Sequence, residues 1–142
     1  MKIIFTCVCA GTLFLSGCVA LYHPSTSSTC YLRATDYIYV YFIDKVNITS
    51  AELKELHSGG MVVDSGTHTF LLSITQIALQ PTQGNFTFTL EANKIYRLEI
   101  RQAPADEKAF YMTLVEHDLS SDSVVEQIPF KVVGPFDKLF HR

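Results

Sequence analysis

Beyond residue 30, apolar and polar positions alternate along most of the chain at the two-residue period of a half-buried strand. The clearest case is Asn85-Phe86-Thr87-Phe88-Thr89-Leu90, with Phe86, Phe88 and Leu90 on one face and threonines on the other. Ile95 to Arg101 repeats the pattern: Tyr96, Leu98 and Ile100 point in, while Arg97, Glu99 and Arg101 share the wet face. Ala92-Asn93-Lys94 between the two predicts a hairpin turn. Tyr37 to Ile43 is aromatic and β-branched throughout, which fits a strand buried on both faces or an aromatic-rich sheet surface. Asp44-Lys45-Val46-Asn47 predicts a turn after it. Met61-Val62-Val63 runs to a further turn at Asp64-Ser65-Gly66, and Thr67 to Ile74 continues beyond. Phe110 to Val115 and Val124 to Val133 flank a Ser/Asp turn at 119–123, and Pro129 marks the last run as an edge strand or a bulge.

One segment departs from this period. Thr49 to Leu56 carries a capping-box spacing (Thr49, Glu52) and an i, i+3 pair, Leu53 and Leu56. A short helix near 49–57 fits, as does an edge strand, and Ser58-Gly59-Gly60 ends either. Short strands at near-regular spacing, without a strong helix, predict an all-β fold: a small antiparallel β-sandwich over residues 30–142.

The N-terminal pattern is different. Ile3 to Phe14 is an apolar run of about a dozen residues, well short of the roughly 20 a spanning helix needs. Lys2 precedes it and Leu15-Ser16-Gly17-Cys18 follows, the layout of a secretory signal peptide. The last four residues resemble the lipobox of bacterial lipoproteins. That resemblance implies removal of residues 1–17 and a lipid attachment at Cys18, with a diacylglyceryl thioether and an acylated α-amine. More than one acyl chain holds a protein stably on a bilayer, where one is marginal. In the sorting rule of such lipoproteins Val19, where an aspartate would imply inner-membrane retention, implies export to the outer membrane; the periplasmic face is the expected side, and the sequence does not fix the leaflet. Residues 18–29 are rich in Ser and Thr and predict a flexible lipidated tether reaching at most about 35–40 Å.

Charge and cysteine usage narrow the classes. The 142 residues carry 11 Lys+Arg and 14 Asp+Glu; removal of Lys2 with the signal leaves 10 against 14, a formal charge of −4. Mild acidity without a basic run argues against nucleic acid and against a polybasic membrane patch. Of the four cysteines, Cys7 and Cys9 leave with the signal and Cys18 takes lipid, so only Cys30 remains. An internal disulfide is then excluded, and a small buried residue at a strand start fits better than an intermolecular bridge.

Ser65-Gly66-Thr67-His68-Thr69-Phe70, followed by Phe88-Thr89-Leu90-Glu91-Ala92-Asn93-Lys94-Ile95-Tyr96, resembles PEGA-type β-sandwich modules of small lipoproteins. Asp44 ends an apolar strand where those modules have Asp-Gly, and Asn93 stands where they have glycine. Asparagine tolerates the left-handed backbone such a turn needs. The resemblance implies an envelope domain that binds other surface components without catalysis.

A sharper chemistry also matches. Met61-Val62-Val63-Asp64-Ser65-Gly66-Thr67 fits the Asp-Ser/Thr-Gly-Ser/Thr element of aspartic proteases, with Val132-Val133-Gly134 as a packing element. Two carboxylates must share a proton in that mechanism, so a retropepsin-like homodimer would have to supply Asp64 twice. The same four residues are also ordinary turn chemistry. His57, His68 and His117 lack metal-ligand spacing, and Tyr37, Tyr39 and Tyr41 could form a ligand platform or cross-strand pairs. Asn47-Ile48-Thr49 and Asn85-Phe86-Thr87 match the glycosylation sequon, which has no general reader in a bacterial lipoprotein.

The sequence therefore predicts an outer-membrane-anchored binding or scaffolding β-sandwich. It predicts no catalytic residue, metal or cofactor, with the membrane and an envelope protein or surface component as partners. The alternatives are the Asp64 protease and an inhibitor or toxin-binding lipoprotein.

Overall fold

Residues 22, 24, 27–75, 82–105 and 109–131 are described by the computed structural model. The signal peptide 1–17, Cys18, Val19 and Val132-Val133-Gly134 lie outside the described residues.

The alternating segments form β1 (Thr29–Ala34), β2 (Ile38–Ile43), β3 (Val46–Asn47), β4 (Met61–Asp64), β5 (Gly66–Ile74), β6 (Thr82–Leu90), β7 (Ile95–Gln102), β8 (Ala109–His117) and β9 (Asp122–Lys131). A single helix, α1 (Ser50–Ser58), lies between β3 and β4. The strands build a five-stranded sheet ordered β4-β1-β7-β8-β9 and a four-stranded sheet ordered β3-β2-β5-β6. The protein is thus a small all-β, sandwich-like fold with one short helix.

All pairings are antiparallel except β1 with β7, which run parallel from Tyr31↔Ile95 to Ala34↔Leu98. That one pair departs from the antiparallel expectation. It arises because the chain leaves the first sheet after β1, builds other elements, and returns.

Inward positions meet between the sheets. Leu32, Leu98, Met112 and Leu114 from one, and Ile38, Ile43, Phe70, Leu72, Phe88 and Leu90 from the other, are buried almost completely. Each such side chain is worth roughly 1.5–3 kcal/mol relative to exposure. The β6 and β9 edges meet through Phe86 and Phe130, ring centroids 5.7 Å apart and edge to face, and Phe130 stacks on Phe110 at 5.9 Å. The opposite side is covered by α1, whose Leu56 is fully buried.

The capping box forms as its spacing predicts. The Glu52 amide donates to Thr49 Oγ1 at 3.3 Å, and the Thr49 amide donates to Glu52 Oε2 at 2.8 Å. Gly59 and Gly60 both donate to the Glu55 carbonyl and stop the helix. Gly60 has φ +100°, and a Cβ there would lie 2.9 Å from Arg33 Cγ and 3.1 Å from the Leu32 carbonyl, so only glycine fits.

Tyr37 to Ile43 follows neither of its two expected forms in full. Ile38, Val40 and Ile43 are buried while Tyr39 and Tyr41 are 40% and 42% exposed, and a bulge between Val40 and Phe42 breaks the register. Pro129 lies on β9, an edge strand, as expected, opposite Tyr111.

The expected turn at Asp64-Ser65-Gly66 and the expected hairpin at Ala92-Asn93-Lys94 are both crossings between the sheets. Asp64-Ser65-Gly66 carries the chain from β4 in one sheet to β5 in the other, and Ala92-Asn93-Lys94 carries it from β6 back to β7. Turn chemistry is the same in both cases, since a tight corner needs the same backbone freedom as a hairpin. Asn93 does adopt positive φ, +62°.

The β2–β3 connection is a true two-residue hairpin, with Asp44 at φ 50° and Lys45 at φ 69°. Both central residues left-handed is the type I′ geometry, in which glycine is favoured second. Lysine there costs roughly 1–2 kcal/mol, and glycine gives back roughly 0.5–1 kcal/mol through the looser unfolded chain. Lys45→Gly is therefore expected to raise stability by about 0.5–1 kcal/mol, as a higher urea midpoint at unchanged slope. A lower midpoint would show that the Lys45 side chain makes a contact worth more than the strain.

Candidate functional site

Asp44, Asp64, His68 and Cys30 gather at one end of the sandwich, where β1 begins and β4 ends. Thr29 pairs with Asp64 there, and β5 starts directly beyond the corner.

His68, on β5, is buried at 7% exposure. Its Nδ1 lies 2.5 Å from Asp44 Oδ2, and its Nε2 lies 2.7 Å from the Asp64 backbone carbonyl. Asp44 Oδ1 also accepts the Thr69 amide at 2.8 Å. Both ring nitrogens thus face oxygen atoms, one of a side chain and one of the backbone. His68 therefore ties the I′ hairpin to the sheet crossing and has no nitrogen left for a substrate or metal.

Asp64 is 9% exposed. Its amide donates to the Tyr22 hydroxyl at 3.2 Å, and the Tyr22 amide donates to Glu52 Oε1 at 2.9 Å. Tyr22 is buried, and burial pushes its phenol above the usual value. Tyr22 thus packs on the domain, inside a segment expected to be a free tether. Its signal in the sequence is slight: it is the only Tyr or Phe between Cys18 and Tyr31.

Cys30 is a small buried residue at the start of β1, as expected. Its thiol donates to the Val63 carbonyl at 3.6 Å, and burial pushes its pKa up to about 11.

The three histidines are held apart. The His57 Nε2 sits 2.8 Å from the Ile38 carbonyl, with its ring edge-on to Tyr39, while His117 pairs with Asp122 at 2.5 Å on the surface. Among the described residues no three His, Cys, Asp or Glu side chains converge as metal ligands.

An open groove of about 780 Å³ lies on the outer face of the four-stranded sheet, lined by Phe42, Asp44, Lys45, Thr69, Leu71 and Asn85. Beside it runs a hydroxyl ladder: Thr67 with Thr89 and Thr69 with Thr87, each 2.9 Å apart across β5 and β6. Sequence alternation put these threonines outside. The bulge that turns Phe42 toward Leu71 was not visible in it. An apolar floor with a hydroxyl and charged rim suits binding.

No family model, curated protein or solved structure matches the chain.

Proposed function

We propose that the chain is an outer-membrane-anchored lipoprotein whose β-sandwich binds or scaffolds envelope components and does no chemistry. The lipobox-like Leu15-Ser16-Gly17-Cys18, placed directly after an apolar run, carries this reading. The candidate chemistry supports its non-catalytic part. Asp44 and His68 hydrogen-bond to each other and to nearby backbone, and these bonds hold turns. The residues resembling PEGA-type modules act in the same way: the Tyr96 hydroxyl accepts the Glu91 amide at 3.0 Å, closing the turn through Asn93.

Mass spectrometry of the mature N-terminus tests the proposal. The expected first residue is Cys18, carrying a diacylglyceryl thioether and an acylated amine. A chain that starts elsewhere, or an unmodified Cys18, would contradict it. Peptide hydrolysis that disappears in Asp64→Asn would replace the non-catalytic part with the protease.

A further inference from the structure

Tyr22 is the first of the described residues, and the fold holds it by both its hydroxyl and its amide, four residues from Cys18. Four residues reach at most about 14 Å when fully extended. If Cys18 sits at a bilayer surface, the Tyr22 backbone must sit within that distance, and the end of the sandwich at Asp64 lies one tyrosine side chain further on. The 18–29 segment read as a free spacer would allow almost three times as much.

The strand register shows what else lies at that end. β7 runs parallel to β1, and Tyr96 pairs with Glu116 on β8, so residues 118–121 project past the same end as Thr29 and Asp64. Leu119, at the tip of that turn, is wholly exposed. Its turn is held rigidly by the Asp118 amide donating to the Ser121 carbonyl, and the Leu119 amide donating to Asp118 Oδ1 at 2.6 Å. A fixed, fully exposed leucine is costly in water and welcome at a lipid interface. The carboxylates there, Glu91, Glu116, Asp118 and Asp122, outnumber Lys94 and Arg97, which already pair with Glu91 and Glu116 and with Asp122. Such a surface is repelled by anionic lipid and tolerated by a zwitterionic one.

We propose that Tyr22 clamps the domain end-on to the membrane, with Leu119 and the 118–121 turn resting on zwitterionic lipid and the opposite end presented to partners. This inference rests on the lipid anchor at Cys18. It assigns the Thr35–Tyr37 turn and the far end of the outer-face groove to the exposed side.

The test uses the full lipidated chain in phosphatidylcholine vesicles carrying a headgroup nitroxide. A fluorophore is placed either at Ser120→Cys, on the proposed membrane side, or at Asp36→Cys, in the β1–β2 turn. Cys30 stays unlabelled because its thiol is buried and its pKa is raised. A nine-residue strand separates the two ends by about 30 Å. Several-fold stronger quenching at position 120 than at 36 is expected. Tyr22→Ala should bring the two close together, and Tyr22→Phe should do so in part should the alanine variant not fold. Equal quenching at both sites in protein that floats with the vesicles overturns the clamp and leaves the anchor standing. Protein that does not float overturns the anchor, and the clamp with it.

Discussion

Replacing His68 by alanine is expected to lower the stability of the domain by about 3 kcal/mol. Two losses add. The Asp64 carbonyl, buried with its residue, loses its 2.7 Å donor, and the short charge-assisted contact to Asp44 disappears. The vacated volume borders Phe70, whose centroid lies 6.3 Å from the imidazole and 6.2 Å from Phe88, so the gap opens onto the core. Asp44 side-chain exposure is 45%, which screens part of the charge, and its second oxygen keeps the Thr69 amide. Those two facts hold the estimate to the middle of the range for buried polar groups.

For a domain of this size the change corresponds to a melting temperature lower by roughly 10–15 °C. Asp44→Asn keeps the acceptor for Thr69 and should cost roughly 1 kcal/mol, a third as much. Thermal unfolding of the two variants checks the pair. A His68→Ala domain as stable as the original would mean that the imidazole is not a structural clasp, and would reopen a functional role for it.

The same clasp shows where the sequence was legible and where it was not. Alternation from Asn85 to Leu90 identified Phe86, Phe88 and Leu90 as core because one sheet face is wet and the other is packed, a strictly local consequence of pleating. The capping box at Thr49 and Glu52 was local too; it left helix and edge strand both open, and the structure forms the helix. Asp64-Ser65-Gly66 read correctly as a turn, yet which sheet receives β5 depends on its pairing with β2, from Ile43↔Phe70 to Ile38↔Ile74, far away along the chain. No local pattern encodes that choice, and the parallel β1–β7 pair was hidden for the same reason.

The candidate site was legible as residues and illegible as geometry. Asp44 and His68 both stood in the stretches resembling a known module, but 24 residues separate them and nothing in their spacing announces contact. Tyr22 was missed because the Ser/Thr run that begins at Ser25 sets the composition of its segment, which averages over a single buried ring. Its partners, Asp64 and Glu52, are 42 and 30 residues distant. Asn93 was read correctly, since positive φ is a property of one residue and its own backbone.

The second large effect concerns the anchor. On the proposed lipoprotein reading, Cys18→Ser removes the thiol on which the lipid would be built, and serine at that position would leave the apolar run uncleaved or cleaved without acylation. Membrane affinity from acyl chains scales at about 0.8 kcal/mol per buried methylene, so the loss of two or more chains lowers partition by many orders of magnitude. No helix among the described residues is long and apolar enough to cross a membrane and take the place of the lipid.

Flotation of vesicle-reconstituted wild-type protein beside Cys18→Ser is the most direct measurement. The account predicts that mature wild-type protein floats with the membranes and stays there through high salt and alkaline carbonate, while mature Cys18→Ser protein, freed of residues 1–17, remains at the bottom of the gradient. Equal flotation of the two mature forms, or release of the wild type by salt alone, would contradict a lipid anchor at Cys18.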